Sequence, residues 1–564
     1  MKKVIVVGGV AGGGSVAARI RRLDESAEIV IYERGSFVSF SNCSLPYYLS
    51  RTVSEKDDLI MMSVEQYKNQ YNIDAHTNTE VTSVDRVNKT VTVKDLITGK
   101  EATDSYDVLV LSTGGTPILP SSIKGIDRPN VFSIRNVDDI ERLDSFISTK
   151  QIHNVAIIGG GFIGCEVAEN LKKNDRVVSI IEAQNQIMSN FDFDMVQILH
   201  KEMLDNGIHL VLGDGLKEID ETCCITQSGK EIPADVVVMA IGVKPETTLS
   251  KSAGLELGET GGIKVNHNFQ TSDPSIYAVG DAIEEFNALT GKPGRIALAW
   301  PAQMEARKAA DAIYGIPDHR TGFIGSSVVR IFSMYAASTG LNECAAKKAG
   351  IPYDFVYVIP QDKVGIMPDS KPIHFKLLFE VPTGRIIGAQ AIGAHNADRR
   401  IDVIATLIHM GGTLEDLSEV ELCYAPVVST AKDAVHMAAL VGLNVLNGVF
   451  RQVKVTEVRG LVENDAYIID VRERKEYEMG HIIGSHNIPL SELRNRIDEI
   501  PKDQPVYLHC RSSQRSYNAL RALQNLGFDN VYNISGSFLG LSLFEYAQAE
   551  IYGKKPILTA YNFN

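Results

Sequence analysis

The chain opens on an unbroken apolar run, Val4–Val7, that feeds a glycine-rich turn. A stretch with helical periodicity follows, then a second apolar run that closes on Glu33. Runs without polar alternation are the mark of strands buried on both faces, as in a parallel sheet covered by helices. The same order of apolar run, glycine turn, helix and apolar run returns at Asn154–Glu182. Both segments predict βαβ units. Between them, Ile60–Asp107 alternates in the manner of strands, and Val108–Leu111 is a further apolar strand before Ser112-Thr113-Gly114-Gly115. Ala234–Gly242 predicts another strand, and Thr271–Asp281 a turn, a strand and a Gly-Asp pair. From Thr321 to Asn447 strands precede helices, which predicts a separate α+β domain. Arg451–Gly460 reads as a connector, and Ala466–Ile551 as a compact α/β unit with strands Tyr467–Asp470, Val506–His509 and Val531–Asn533.

At 564 residues the chain holds roughly three to five domains, because one core rarely grows beyond ~250–300 residues. A net charge of −14 argues against a nucleic-acid surface, which needs clustered Lys and Arg. No apolar run reaches the ~18–20 residues that span a bilayer, so no membrane role is expected. The Lys2-Lys3 start is read as the lead into a buried strand, not as a signal peptide. The seven cysteines are Cys43, Cys165, Cys223, Cys224, Cys344, Cys423 and Cys510. They form neither a CxxC pair nor a zinc spacing, and no metal site is expected. A reducing, cytoplasmic setting is expected.

The first glycine turn is Gly8-Gly9-Val10-Ala11-Gly12-Gly13, which meets the G-x-G-x-x-G pattern at Gly8 and Gly13 but carries Val10 at the middle place. Such a turn lets a helix N-terminus approach a pyrophosphate, and a carboxylate about twenty residues on, here Glu33 followed by Arg34, accepts from ribose hydroxyls. The second turn is complete: Gly159-Gly160-Gly161-Phe162-Ile163-Gly164, with Glu182 closing the next strand. A carboxylate there suits the 2′-hydroxyl of NADH and repels the 2′-phosphate of NADPH.

Thr271–Asp281 resembles the second FAD motif of the pyridine nucleotide–disulfide reductase superfamily. The resemblance implies FAD at Gly8, Val10, Ala11, Gly12, Gly13, Glu33, Arg34, Thr113, Gly114, Gly280 and Asp281. It implies the nicotinamide cofactor, expected from Glu182 to be NADH rather than NADPH, at Gly159, Gly161, Phe162, Ile163, Gly164 and Glu182. The stretch Ser39-Phe40-Ser41-Asn42-Cys43-Ser44-Leu45-Pro46-Tyr47-Tyr48 is similar to the coenzyme A–disulfide reductase family. That likeness makes Cys43 the redox nucleophile, with Ser39 and Asn42 contacting the CoA-linked substrate and Ser15, Arg19 and Arg22 its nucleotide end. A lone cysteine cannot form an internal disulfide, so its oxidised form is a sulfenic acid, a persulfide or a mixed disulfide. Related oxidases and peroxidases carry a histidine where this chain has Val10, which counts against peroxide chemistry. Tyr424-Ala425-Pro426 matches a segment that supplies a tyrosine to the partner subunit, implying a homodimer. A second family tyrosine is missing: its stretch here is Gly365-Ile366-Met367-Pro368-Asp369.

Ile469–Glu473 and Gly480–Pro489 resemble the signature segments of rhodanese domains. In Cys510-Arg511-Ser512-Ser513-Gln514-Arg515, four residues separate Cys510 from Arg515, one fewer than in a phosphatase loop. A loop from a cysteine to a helix N-terminus, with Arg511 and Arg515, favours a thiolate or persulfide anion.

The expected fold is α/β: two Rossmann-like dinucleotide-binding domains, an α+β dimerisation domain and a C-terminal α/β rhodanese domain. Residues 1–149 with 249–325 would bind FAD, 150–248 NAD(H), 326–450 dimerise, and 451–564 form the rhodanese domain. The expected activity is reduction of CoA persulfide by NADH with release of hydrogen sulfide, the rhodanese domain supplying sulfane sulfur. The alternatives are a CoA-disulfide reductase with an accessory rhodanese and, in another class, a persulfide relay protein.

Overall fold

A computed structural model describes every residue except 1, 151, 174, 175, 318–320 and 564. The chain divides into two compact units, residues 1–183 with 214–323, and residues 184–213 with 324–564.

In the first unit Lys3–Val7 lies between Val108–Leu111 and Glu28–Tyr32, all parallel, with Ile276–Ala278 and Asp74–His76 outside them. Val4, Ile5 and Val6 are fully buried, as their unbroken apolar run requires. The second βαβ unit repeats the arrangement: Asn154–Ile158 pairs in parallel with Val177–Glu182 on one side and Val236–Met239 on the other. One part of the Ile60–Asp107 expectation needs correction. Val64–Tyr71 is a helix, started by Ser63 and Gln66 in a reciprocal cap and ended by Asn72 in the left-handed region. Strand alternation resumes beyond it at Thr79–Asp85 and Thr90–Asp95.

The second unit holds an antiparallel sheet in the order Ser327–Ile331, Met334–Gly340, Ile386–Gly393, Ile373–Glu380, Tyr353–Val358. Beside it a parallel sheet runs Arg451–Val453, Val531–Ile534, Val506–His509, Tyr467–Asp470, His486–Asn487. Arg451–Gly460 is therefore no free connector. Its first residues are an edge strand, and Val455 and Val458 are buried beneath the last helix, Ser537–Tyr552. The helix Phe193–Asp205 groups with this unit: Phe193 packs edge-on against Phe544, and Lys201 lies 4.2 Å over the Phe563 ring. Asp192, Asp194 and Glu343 bring three carboxylates together, and Lys376 fills their centre with Nζ at 3.1, 2.8 and 2.6 Å. Burial would lower the Lys376 pKa, but the three carboxylates raise it, and Glu343 falls to about 2.

Candidate active site

The first unit carries the two glycine turns. Gly8 has φ +91°, and a Cβ there would stand 2.3 Å from the Ser112 carbonyl oxygen, so only glycine closes this approach of turn to strand. A Cβ on Gly13 would meet the Gly8 oxygen at 1.8 Å. The helices Gly12–Leu23 and Phe162–Lys172 begin with no side-chain cap and no acidic residue in the first turn. Their leading N–H groups suit a pyrophosphate. Glu33 accepts from Gly9 N at 2.9 Å and Gly35 N at 2.8 Å, and Glu182 accepts from Gly160 N at 2.8 Å. Each carboxylate is thus fixed at the end of its strand, beside its turn. These residues fit two dinucleotides.

Gly114 (φ +68°) and Gly280 (φ +77°) take the left-handed region, and Gly280 N donates to Glu305 at 2.7 Å. Asp281 meets the Arg135 guanidinium at 3.4 Å; burial pushes its pKa up, with Arg135 opposing. Thr113 Oγ1 donates to the Glu246 carbonyl at 2.6 Å.

Cys43 is exposed on a single 3-10 turn, Asn42–Ser44, leading into the short helix Leu45–Leu49. Desolvation on its inner side, then the Glu166 and Asp281 carboxylates, push its pKa up. Glu166 is itself raised to about 7 by burial, with Tyr47 O–H donating to it at 3.4 Å. Asn42 Oδ1 is buried without a hydrogen-bond partner, a polar atom next to the thiol that a ligand donor would satisfy. Among the first-helix candidates, Ser15 is half-buried and Arg22 is exposed. Arg19 is engaged elsewhere, paired with Asp311 at 2.6 Å.

In the second unit Cys510 ends the strand Val506–His509 and is 1% exposed. Its loop reaches the helix Gln514–Asn525 through Ser513 at φ +73°. Cys510 N donates to Ser537 Oγ at 3.2 Å, and Ser516 Oγ stands 3.7 Å from Cys510 Sγ. Arg515 is held by Glu476 in two bonds of 2.6 and 2.8 Å, which raise its pKa; Arg511 is half-buried and pushed down by desolvation. Arg472 is buried against Asp470 at 2.6 Å, its guanidinium 3.8 Å from the Phe538 ring. Asp470, which burial alone would raise, is brought below its usual range by His509 and Arg472.

Tyr424 stands 52% exposed with Val427 and Val428. The stretch without a tyrosine lies beside it, Val364 N donating to the Pro426 carbonyl at 3.3 Å.

A family model described as pyridine nucleotide-disulphide oxidoreductase matches residues 2–306. The chain belongs to this family. The dimerisation domain of the same family matches residues 326–435 of this oxidoreductase, and a rhodanese-like domain matches residues 454–542. A coenzyme A disulfide reductase of Staphylococcus epidermidis is 32% identical over 78% of the chain and 99% of its own length. Among solved structures, a reduced CoADR-RHD of Bacillus anthracis is 42% identical, covers 96% of this chain and 98% of its own, and superposes with a TM-score of 0.93. A NAD-dependent persulfide reductase of A. fulgidus is 35% identical over 96% of this chain and 99% of its own, with a TM-score of 0.91. The protein is an oxidoreductase acting on a sulfur group. Among the described residues no helix is long and apolar enough to cross a membrane.

The structure adds Glu166, Tyr47 and Arg135 to this oxidoreductase's candidate residues. Glu166 had a local signal: an acid two places after Gly164, on a helix whose surrounding positions are buried. Arg135 had none.

Proposed function

We propose that the chain reduces the persulfide of coenzyme A at the expense of NADH and releases hydrosulfide, and that its rhodanese domain loads the sulfur. Cys43 is the observation that carries this reading. All seven cysteines are free, and Cys43 is an exposed thiol in the same unit as both dinucleotide turns. Such a thiol turns over by making and losing a disulfide to a small external thiol. Cys43 attacks the CoA-side sulfur of CoA–S–SH, its S–S bond breaks, and hydrosulfide leaves as the Cys43–CoA disulfide forms. Bound FAD would supply the chemistry for reducing that disulfide with the electron pair of NADH, so that Cys43 and CoA are freed. The Gly8–Gly13 turn, Glu33, Thr113, Gly114 and Asp281 hold FAD, and Gly159–Gly164 with Glu182 hold the nicotinamide cofactor. Glu182 favours NADH. Asn42 and Ser39 orient the CoA end, and Ser15 and Arg22 meet its phosphates. Arg19, neutralised by Asp311, contributes less.

Cys510 accepts sulfane sulfur from a donor and yields it to CoA, under the charge of Arg511 and Arg515. Tyr424 reaches the partner's Cys43 site in a homodimer, a reading supported by its exposure and by the dimerisation-domain match. The missing tyrosine at Gly365–Asp369 removes one wall and favours the small persulfide over CoA disulfide. A second reading, CoA-disulfide reduction, draws on the Staphylococcus relative's name. NADH consumption on CoA persulfide, CoA disulfide, glutathione persulfide, polysulfide and peroxide tests the choice: CoA persulfide should give the highest kcat/KM, and faster turnover of CoA disulfide would reverse the assignment.

A further inference from the structure

We propose that Tyr357, on the dimerisation sheet, is a positioning residue for Cys510, so that the sulfurtransferase site is complete only in the fused chain. The proposal rests on reading Cys510 as the sulfur-carrying nucleophile. Cys510 sits between two walls. One is its own loop; the other is the turn Ser535–Phe538 that follows the strand Val531–Ile534. This second wall grips the first. Cys510 N and Ser513 Oγ both reach Ser537 Oγ, at 3.2 and 3.1 Å, Phe538 N donates to the Cys510 carbonyl at 3.0 Å, and Leu539 N donates to that of Arg511 at 3.0 Å. A shift of this turn therefore moves Cys510 itself.

The turn is costly to hold. Gly536 has φ +75° and Ser537 φ +48°, two successive left-handed residues, the second with a Cβ that disfavours the region. Its outer side rests on Tyr357. A Cβ on Gly536 would stand 2.7 Å from Tyr357 Cε1, and one on Gly540 3.2 Å from the same atom, so the backbone lies directly on the ring. The ring is fixed in turn. Tyr357 is buried in the strand Tyr353–Val358, and its hydroxyl and His374 Nδ1, on the neighbouring strand, lie 2.6 Å apart. Burial pushes His374 down to about 3, so the partner is a neutral imidazole. The start of the turn is anchored to the same sheet and to the helix Glu343–Ala349. Ser535 N donates to the Val453 carbonyl at 2.9 Å; Gln452 donates to the Phe355 carbonyl at 2.6 Å, and Lys454 pairs with Glu343. None of Tyr357, His374, Phe355 or Glu343 lies within residues 451–564.

The test uses the full-length, FAD-loaded protein and two assays. One is transfer of the outer sulfur of thiosulfate to cyanide through Cys510: sulfite leaves as the Cys510 persulfide forms, and thiocyanate leaves as the thiol returns. The other is NADH-linked reduction of CoA persulfide at Cys43, which serves as a control for folding. Tyr357→Ala should lower kcat for sulfur transfer at least ~tenfold while KM for thiosulfate and the NADH-linked rate stay within about twofold. Tyr357→Phe, which keeps the ring, should restore most of the transfer rate. Gly536→Ala drives a methyl into the ring from the other side and should give a similar loss, and the double variant should be no worse than the weaker single one, as for residues in contact. The proposal is overturned if Tyr357→Ala transfers sulfur within twofold of wild type, or if the two single losses multiply in the double variant. Wild-type protein that transfers no sulfur would instead remove the reading of Cys510 on which the proposal stands.

Discussion

Cys43 and Cys510 each stand where the chain enters a helix, but the charges around them are opposite. Cys43 is open to solvent and faces carboxylates, Glu166 and Asp281, which oppose its ionisation. Cys510 is buried, bonded through its backbone to the neighbouring turn, and has two arginines beside it, Arg511 and the Glu476-paired Arg515. The contrast separates two tasks. A thiol that must exchange with a soluble carrier needs access and gains little from a fixed positive field. A thiol that must carry a persulfide anion through a waiting period needs that field and protection from water. The Cys510 site places Arg511 and Arg515 beside its cysteine. At Cys43 the charged side chains that act on the thiol are carboxylates, so thiolate stabilisation there does not come from neighbouring side-chain charge.

The largest effect is expected of Cys43→Ser. This variant should keep its flavin absorbance and lose NADH-linked reduction of every sulfur substrate by at least ~10³-fold in kcat. Steady-state turnover near wild type would end the nucleophile assignment. A smaller effect concerns the cofactor. NADH should exceed NADPH by at least about tenfold in kcat/KM, or ~1.4 kcal/mol, because of Glu182, and equal use in matched kinetics would release Glu182 from that role.

The smallest predicted effect sharpens the electrostatic side. Glu166, raised to about 7 by burial, is mostly protonated at pH 6 and mostly anionic at pH 8. Only the anion opposes ionisation of Cys43. Glu166→Gln should therefore speed alkylation of Cys43 by about two- to threefold at pH 8 and leave it unchanged at pH 6. Peptide-resolved alkylation rates check this; an equal effect at both pH values would show that Glu166 acts by packing.

How far these sites were legible in the sequence depends on how local they are. The glycine turns and the rhodanese loop are continuous in sequence, because strand, turn and helix N-terminus follow one another. The core strands were legible because burial on both faces leaves no polar alternation. What escaped is assembled across distance. Tyr47 meets Glu166 from 119 residues away, Arg135 meets Asp281 from 146, and Arg19 meets Asp311 from 292. Helical spacing made Arg19 and Arg22 look equivalent; only the fold shows that one is neutralised by a partner. The Arg451–Gly460 segment misled for a related reason. A three-residue edge strand has too short an apolar pattern to be told from a connector.

Whether the two cysteines perform separable steps is decided by giving preformed CoA persulfide to wild-type protein and to Cys510→Ser while recording NADH and hydrosulfide together. The two rates should lie within about twofold of each other, with one hydrosulfide released per NADH oxidised. Loss of turnover in Cys510→Ser would contradict separable steps, because sulfur would then have to pass through the rhodanese cysteine in every cycle.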